Sequence, residues 1–123
     1  MRLHEDGKVD LLATVPLFSG CSKKELRRIA SLADEIDLRS GKVLTRQGAP
    51  GREFFVLLDG TVDVVRDGEH VATLGPGDFF GELALVSNIP RTATVTATTP
   101  IRALVVVDRD FRQLIKEIGR AHV

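Results

Sequence analysis

From Gly41 to Gly81 the chain is a series of short apolar runs cut by turn residues. "VLT" (43–45), "FFVLL" (54–58), "TVDVV" (61–65) and "HVATL" (70–74) follow one another closely, and eight of the eleven glycines fall in this stretch. Runs of that length, rich in β-branched and aromatic residues and bounded by Gly, Pro and Asp, are strand signals. Repeated at regular spacing, they predict an antiparallel barrel or sandwich. Asp67-Gly68 is the best hairpin signal, because a two-residue type I′ turn needs positive φ at both positions. Asp59-Gly60 is a second candidate. Two further strands, "TATVTAT" (92–98) and "IRALVVV" (101–107), are separated by Pro100.

Helical periodicity lies on either side of this block. Ser22-Lys23-Lys24-Glu25 reads as a capping box, in which the serine hydroxyl accepts a backbone N–H and the glutamate reaches back. Leu26, Ile29, Ala30 and Ala33 then mark one apolar stripe. Near the other end Asp108 is placed to cap a helix carrying Phe111, Leu114 and Ile115 on one face. The predicted order is helix, compact β block, helix.

Composition narrows the function classes. At 123 residues and 43% hydrophobic the chain can bury one core, so a single domain is expected. The formal net charge is zero, which gives no global field for nucleic acid or an anionic membrane. The cluster Lys23, Lys24, Arg27 and Arg28 shares its segment with Glu25 and reads as the wet side of a helix. A single cysteine, Cys21, excludes a disulfide framework, suits a reducing cytoplasm and is read as a small apolar filler. The longest apolar run, Ala103 to Val107, is too short to span a bilayer. The start, "MRLHEDGKVDLL", lacks the order of a secretion signal.

The candidate chemistry sits in "FGELALVSNIPRTATV" (80–95). A short helix beginning near Gly81 offers unpaired backbone N–H groups, which suit a phosphate or other anion. Strand alternation sets Arg91 on the side of Ala93, Val95 and Ala97, with Thr92, Thr94, Thr96 and Thr98 opposite. A guanidinium keeps its proton, so a buried one needs an anion, and its planar fork suits phosphate. Glu82 would accept from ligand hydroxyls. Together these groups describe a receptor for a sugar phosphate. The residues alone leave a plainer reading open: Glu82 complements a helix dipole, and Arg91 pairs on the surface with Asp78, Glu82 or Asp63.

The same segment closely resembles the phosphate-binding cassette of the cyclic-nucleotide-binding domain family, which includes the catabolite activator protein and the regulatory subunits of cyclic-AMP-dependent kinase. The pattern is met at Phe80, Gly81, Glu82, Leu83, Ala84, Leu85, Pro90, Arg91 and Ala93. The likeness extends to "PLFSGCSKKEL", "GKVLTRQGAPGREFFVLLDGTVDVV" and "VVVDRDFRQLI", covering roughly Leu12 to Ile115. It implies an antiparallel β jelly-roll (a double-stranded β-helix), mainly β, with flanking helices and a short cassette helix. It implies further that Glu82 holds the ribose 2′-hydroxyl and Arg91 an equatorial oxygen of the cyclic phosphate. Phe80, Gly81, Leu83, Ala84, Thr92 and Ala93 would complete the site through backbone and side-chain contacts. Asp63 matches a barrel acid that pairs with the cassette arginine when the ligand arrives. The ligand implied is cyclic AMP, favoured over cyclic GMP on family frequency, although Thr92 also occurs in members selective for cyclic GMP.

Catalysis is not expected. His4, His70 and His122 are scattered, without a His-x-His pair, so neither a metal nor another cofactor is implied. His70 is read as a solvated strand-end residue. Cys21 has no nearby histidine, and "GPGDFFG" has the glycine spacing of neither a Walker loop nor a dinucleotide fingerprint. No second helical pair is present to enter a DNA groove. The expected protein is a cytoplasmic sensor that signals to an effector outside this fragment. Its alternative is a ligand-free barrel kept for protein contacts. Finally, "IGRAHV" (118–123) matches one reading frame of a common sequencing adapter, so residues 1–117 are expected to be the domain and 118–123 a non-native tail. On that expectation the last helix is truncated, and the gene product continues past Glu117.

Overall fold

The computed structural model describes residues 3–118, so Gly119–Val123 of the suspected tail, and with them His122, lie outside the described residues. Helix α1 (Glu5–Ala13), a 3-10 turn (Pro16–Phe18) and α2 (Lys23–Leu32) precede the strands. The strands are β1 (Asp34–Leu38), β2 (Val43–Thr45), β3 (Glu53–Asp59), β4 (Val62–Arg66), β5 (Glu69–Leu74) and β6 (Phe79–Phe80). A 3-10 turn (Glu82–Leu85) then leads to β7 (Thr94–Ala97), β8 (Ile101–Val107) and α3 (Asp108–Ile118). All strand pairs are antiparallel, in two four-stranded sheets ordered β1-β8-β3-β6 and β2-β7-β4-β5. This is the expected mainly-β jelly-roll arrangement with flanking helices.

Burial explains why some strands read as solid apolar runs and others alternate. β3 and β8 are covered on both faces. Phe54, Val56, Leu104 and Val106 pack against the helices, in a core shared with Phe18, Ile29, Phe111 and Leu114. Leu57, Ile101 and Ala103 turn the other way and meet Val62, Val95 and Ala97 of the second sheet. Phe18 anchors the helical side, its ring centroid 5.8 Å from Phe54 and 5.7 Å from Phe111. β7 is wet on one face, so its buried Val95 and Ala97 alternate with half-exposed Thr94 and Thr96.

The capping box forms at α2: Glu25 N–H donates to Ser22 Oγ at 3.1 Å, and Ser22 N–H donates to Glu25 Oε1 at 2.8 Å. Lys23, Lys24, Arg27 and Arg28 are exposed as expected, whereas Glu25 is buried by its role in the box. Ala33 falls just past the helix end and is still buried. Asp108 takes the first position of α3, where its carboxylate accepts the Arg109 N–H at 2.7 Å.

Asp67-Gly68 joins β4 to β5 with φ of 52° and 80°, as a type I′ turn requires. Asp59-Gly60 is not a hairpin. It carries the chain from β3 in one sheet to β4 in the other, and the two strands do not pair. Three elements had no clear sequence signal. α1 buries only Val9 and Leu12, β1 is a charged edge strand, and β6 is a two-residue bridge to Phe55 and Val56.

Candidate functional site

The site grows from the turn after β6. Gly81 has φ of 85°, in the left-handed region, and starts the 3-10 turn whose Ala84 and Leu85 point into the core. A Cβ at position 81 would lie 2.6 Å from Arg91 Nη1 and 2.7 Å from the Glu53 carbonyl oxygen, so only glycine lets the arginine pass. Ala84 N–H is spent inside the turn on Gly81 O at 3.0 Å. Among the described residues, no such bond is made by the Glu82 and Leu83 N–H groups at the start of the turn. The turn ends against α3, whose Arg112 reaches Leu85 O and Ser87 O at 3.3 Å and Ala84 O at 3.5 Å.

Arg91 lies ahead of β7, in a segment locked to the β2–β3 loop. Its N–H donates to Ala49 O, and its carbonyl accepts from Gly48 N–H, both at 2.8 Å. Its Nη2 donates to Glu53 O at 2.7 Å. Burial pushes the guanidinium pKa below its ordinary value, and the charge of Glu53 opposes the shift. Arg91 makes no ion pair with a carboxylate among the described residues, so the plainer surface pairing with Asp78, Glu82 or Asp63 is not what it does. A half-buried cation is thus held by a carbonyl dipole and aimed into open space.

That space is a cavity of about 330 Å³ between the cassette and the second sheet, whose lining includes Phe80, Gly81, Arg91, Thr92 and Ala93. A smaller cleft of about 130 Å³, bounded by Gly81, Glu82, Leu83, Ala84, Arg91 and Thr92, shares its wall. Glu82 is half-buried there and has no hydrogen-bond or ion-pair partner among the described residues. Thr92 borders both spaces. β7 begins only at Thr94, so the alternation that would turn Thr92 away from Arg91 does not reach it. Ala93, Val95 and Ala97 are buried, as the pattern predicts.

Asp63 does not join this group. Val64 and Arg66 line the cavity, and Asp63, one position off, faces the outside of β4. Its carboxylate accepts from Thr73 Oγ1 at 3.0 Å and sits 3.3 Å from His70 Nε2. Asp63 is thus engaged here by Thr73 and His70, and His70 is tied to Asp63 and Thr73 rather than merely solvated. Sequence reasoning missed Glu53, whose backbone carbonyl does the holding and so leaves no side-chain signature. It also missed Gly51, where a Cβ would lie 3.1 Å from Arg91 Cδ and Nε. Among the described residues no group of three or more His, Cys, Asp or Glu is placed to hold a metal ion. No helix there is long and apolar enough to cross a membrane.

A jelly-roll that sets at one cleft an arginine and a glutamate without ion-pair partners among the described residues has the form of a small-ligand receptor domain. The family model for the cyclic nucleotide-binding domain matches residues 35–118, and the chain belongs to that family. It is 36% identical over 106 residues to a cAMP-dependent protein kinase regulatory subunit of Schizosaccharomyces pombe, aligning 85% of this chain with 26% of that protein. It is 38% identical over 104 residues to a cyclic nucleotide-gated potassium channel of Mesorhizobium japonicum, aligning 85% of this chain with 29% of the channel. The chain thus spans under a third of either relative. Among solved structures, a cyclic nucleotide-binding-like protein from Brucella abortus superposes with a TM-score of 0.82 at 26% identity, covering 90% of this chain and 99% of that one. A structure described as cAMP-bound PfPKA-R gives a TM-score of 0.74 at 28% identity, covering 93% of this chain and 40% of that one.

Proposed function

We propose that this domain is a cytoplasmic sensor, not an enzyme, and that it binds cyclic AMP in preference to cyclic GMP. Residues 1–117 are the sensing unit. Arg91 meets the cyclic phosphate with a charge-assisted fork, and Glu82 accepts from the ribose 2′-hydroxyl. Phe80, Gly81, Leu83, Ala84, Thr92 and Ala93 shape the walls around them. The observation that carries the reading is the half-buried Arg91 guanidinium, without a carboxylate partner among the described residues, on the wall of a cavity. A cation so placed is costly unless an anion arrives.

Binding would be transmitted through α3. Arg112 links that helix to the carbonyls at the end of the cassette turn, so reordering of the turn changes what α3 rests on. The signal would be received by an effector. Its relatives suggest two kinds, since one is a regulatory subunit of a kinase and another a gated channel.

Titration calorimetry of the chain and of Arg91→Ala with cyclic AMP and cyclic GMP tests the proposal. Loss of the charged partner should cost on the order of 2–5 kcal/mol of binding. Equal affinity in the variant would place the site elsewhere. Tighter binding of cyclic GMP would reverse the base preference while leaving the site intact.

A further inference from the structure

Charge is sorted between the first two helices. α1 presents Glu5, Asp6 and Asp10 to solvent, and at 3.6 residues per turn they share an arc of about 140°. α2 presents Lys23, Lys24 and Arg27, which share an arc of about 100°. The one side chain of opposite sign on each helix is turned inward and spent locally. Lys8 is half-buried, and its Nζ donates to Ala33 O at 2.8 Å, just past the end of α2. Glu25 is buried in the capping box. None of the six outward groups makes an ion pair or a side-chain hydrogen bond among the described residues. Arg28, the remaining cation of α2, is already engaged within the chain.

The two helices pack on each other and on one core, to which α1 gives Val9 and Leu12 and α2 gives Leu26, Ile29 and Ala30. Their outward faces are therefore neighbours on the surface of the helical layer. Helix stability does not ask for this sorting. Acids in the first turn of α1 suit its dipole, but Lys23 and Lys24 stand in the first turn of α2, at the positive end, and its last turn carries no basic residue. What the sorting does supply is a negative strip beside a positive one. A polyanion meeting the cations of α2 would meet the carboxylates of α1 beside them. A fitting partner must itself carry both signs side by side, and a second copy related by a two-fold axis does so, α1 against α2 twice over. The formal net charge of zero leaves no overall repulsion between copies.

We propose that the α1–α2 layer is a self-association surface, in which Glu5, Asp6 and Asp10 of one copy face Lys23, Lys24 and Arg27 of a second, and the reverse. The exposed large apolar residues among those described are Val71, Leu83, Val86 and Ile89, and none lies on either helix. Charge rather than apolar burial thus governs this dimer, so it is weak and sensitive to salt. The inference uses neither Arg91 nor the cavity, and stands or falls apart from the nucleotide reading.

Sedimentation equilibrium of the whole chain tests it, at ionic strengths of about 0.01 M and about 1 M, where the screening length is about 30 Å and about 3 Å. Two triple variants reverse one strip each: Lys23→Glu with Lys24→Glu and Arg27→Glu, and Glu5→Lys with Asp6→Lys and Asp10→Lys. The wild-type chain is expected to form a reversible dimer at low salt, with a dissociation constant that rises roughly tenfold or more at high salt. Each variant alone should be monomeric at low salt. An equimolar mixture of the two should recover the dimer, since each supplies the sign that the other has lost. The α2 reversal puts acids at the positive end of the helix, so its thermal melt should match or exceed that of the wild type, and its loss of association cannot be laid to misfolding. A wild-type chain that stays monomeric at low salt would overturn the inference. So would association that survives either reversal, or a mixture that stays monomeric. Growth beyond two copies would also overturn it, because that means an open head-to-tail contact in place of the two-fold one.

Discussion

The guanidinium of Arg91 lies directly over the α-carbon of Gly81, so close that a methyl group there would sit 2.6 Å from Nη1. The same methyl would be 2.7 Å from the Glu53 carbonyl that holds the arginine. Gly81→Ala therefore faces two penalties, a left-handed φ of 85° and a clash with the held side chain. Stability should fall by about 1 kcal/mol or more in thermal unfolding. Nucleotide affinity should fall further, on the order of the 2–5 kcal/mol expected for losing Arg91 itself, because the guanidinium is pushed off its carbonyl. A variant that kept wild-type affinity would show that this contact does not set the arginine.

Arg112 and Leu85 link α3 to the site, through the 3.3 Å bond from Nε to the carbonyl that ends the cassette turn. The bonds are long, so Arg112→Ala should destabilise the chain by only about 1–2 kcal/mol. Its larger effect should be on communication. Hydrogen exchange in α3 is expected to slow when cyclic AMP binds the wild-type chain and to respond much less in the variant, with affinity changed only a few-fold (roughly the share expected of a neighbouring bond). An unaltered exchange response would remove Arg112 from the signal path.

Much of this fold is written in local pattern. The capping box of Ser22 and Glu25, the Asp67-Gly68 turn and the alternation through Ala93, Val95 and Ala97 each depend on near neighbours, and each forms as the sequence predicts. β1 was not legible for a different reason. "DEIDL" is held by pairing with the distant β8, where Asp37 meets Arg102 at 2.9 Å, so tertiary context overrides a poor strand composition. The Asp59-Gly60 misreading has the same origin, since a turn signal does not say which sheet receives the next strand. At the site, side-chain identity pointed to Glu82 and Arg91. Which groups hold Arg91 was hidden, because the Ala49 and Glu53 carbonyls carry no residue-specific mark.

Gln47 clamps the hairpin tip, its Nε2 donating to Asp67 Oδ1 at 2.7 Å and its Oε1 accepting from Asp67 N–H at 2.8 Å, and this predicts a contrast between two substitutions. Gln47→Ala removes both bonds to the hairpin tip and should cost about 1 kcal/mol, given that the pair is exposed. Asp67→Asn keeps the acceptor oxygen and the N–H, and asparagine tolerates the observed φ of 52° at least as well as aspartate. It should be neutral or slightly stabilising in urea unfolding. Equal losses in both variants would indicate that charge, rather than the amide clamp, secures the tip.

Arg91 should also separate binding from stability. Burial lowers its pKa, so the folded chain without ligand holds the charged form at some cost. The sign follows from proton counting. Between the lowered folded value and the ordinary unfolded one the unfolded chain binds more protons, so stability rises with pH in that strongly alkaline window. Between about pH 5 and 9 Arg91 is charged in both states and contributes no slope. Arg91→Met, which keeps length without charge, should therefore leave the ligand-free chain as stable as wild type or more so at neutral pH, while abolishing most nucleotide affinity. Parallel urea melts and calorimetric titrations read both quantities on the same samples. A large loss of ligand-free stability in Arg91→Met would mean that the Glu53 carbonyl contact is structural, and that the cation is not waiting for an anion.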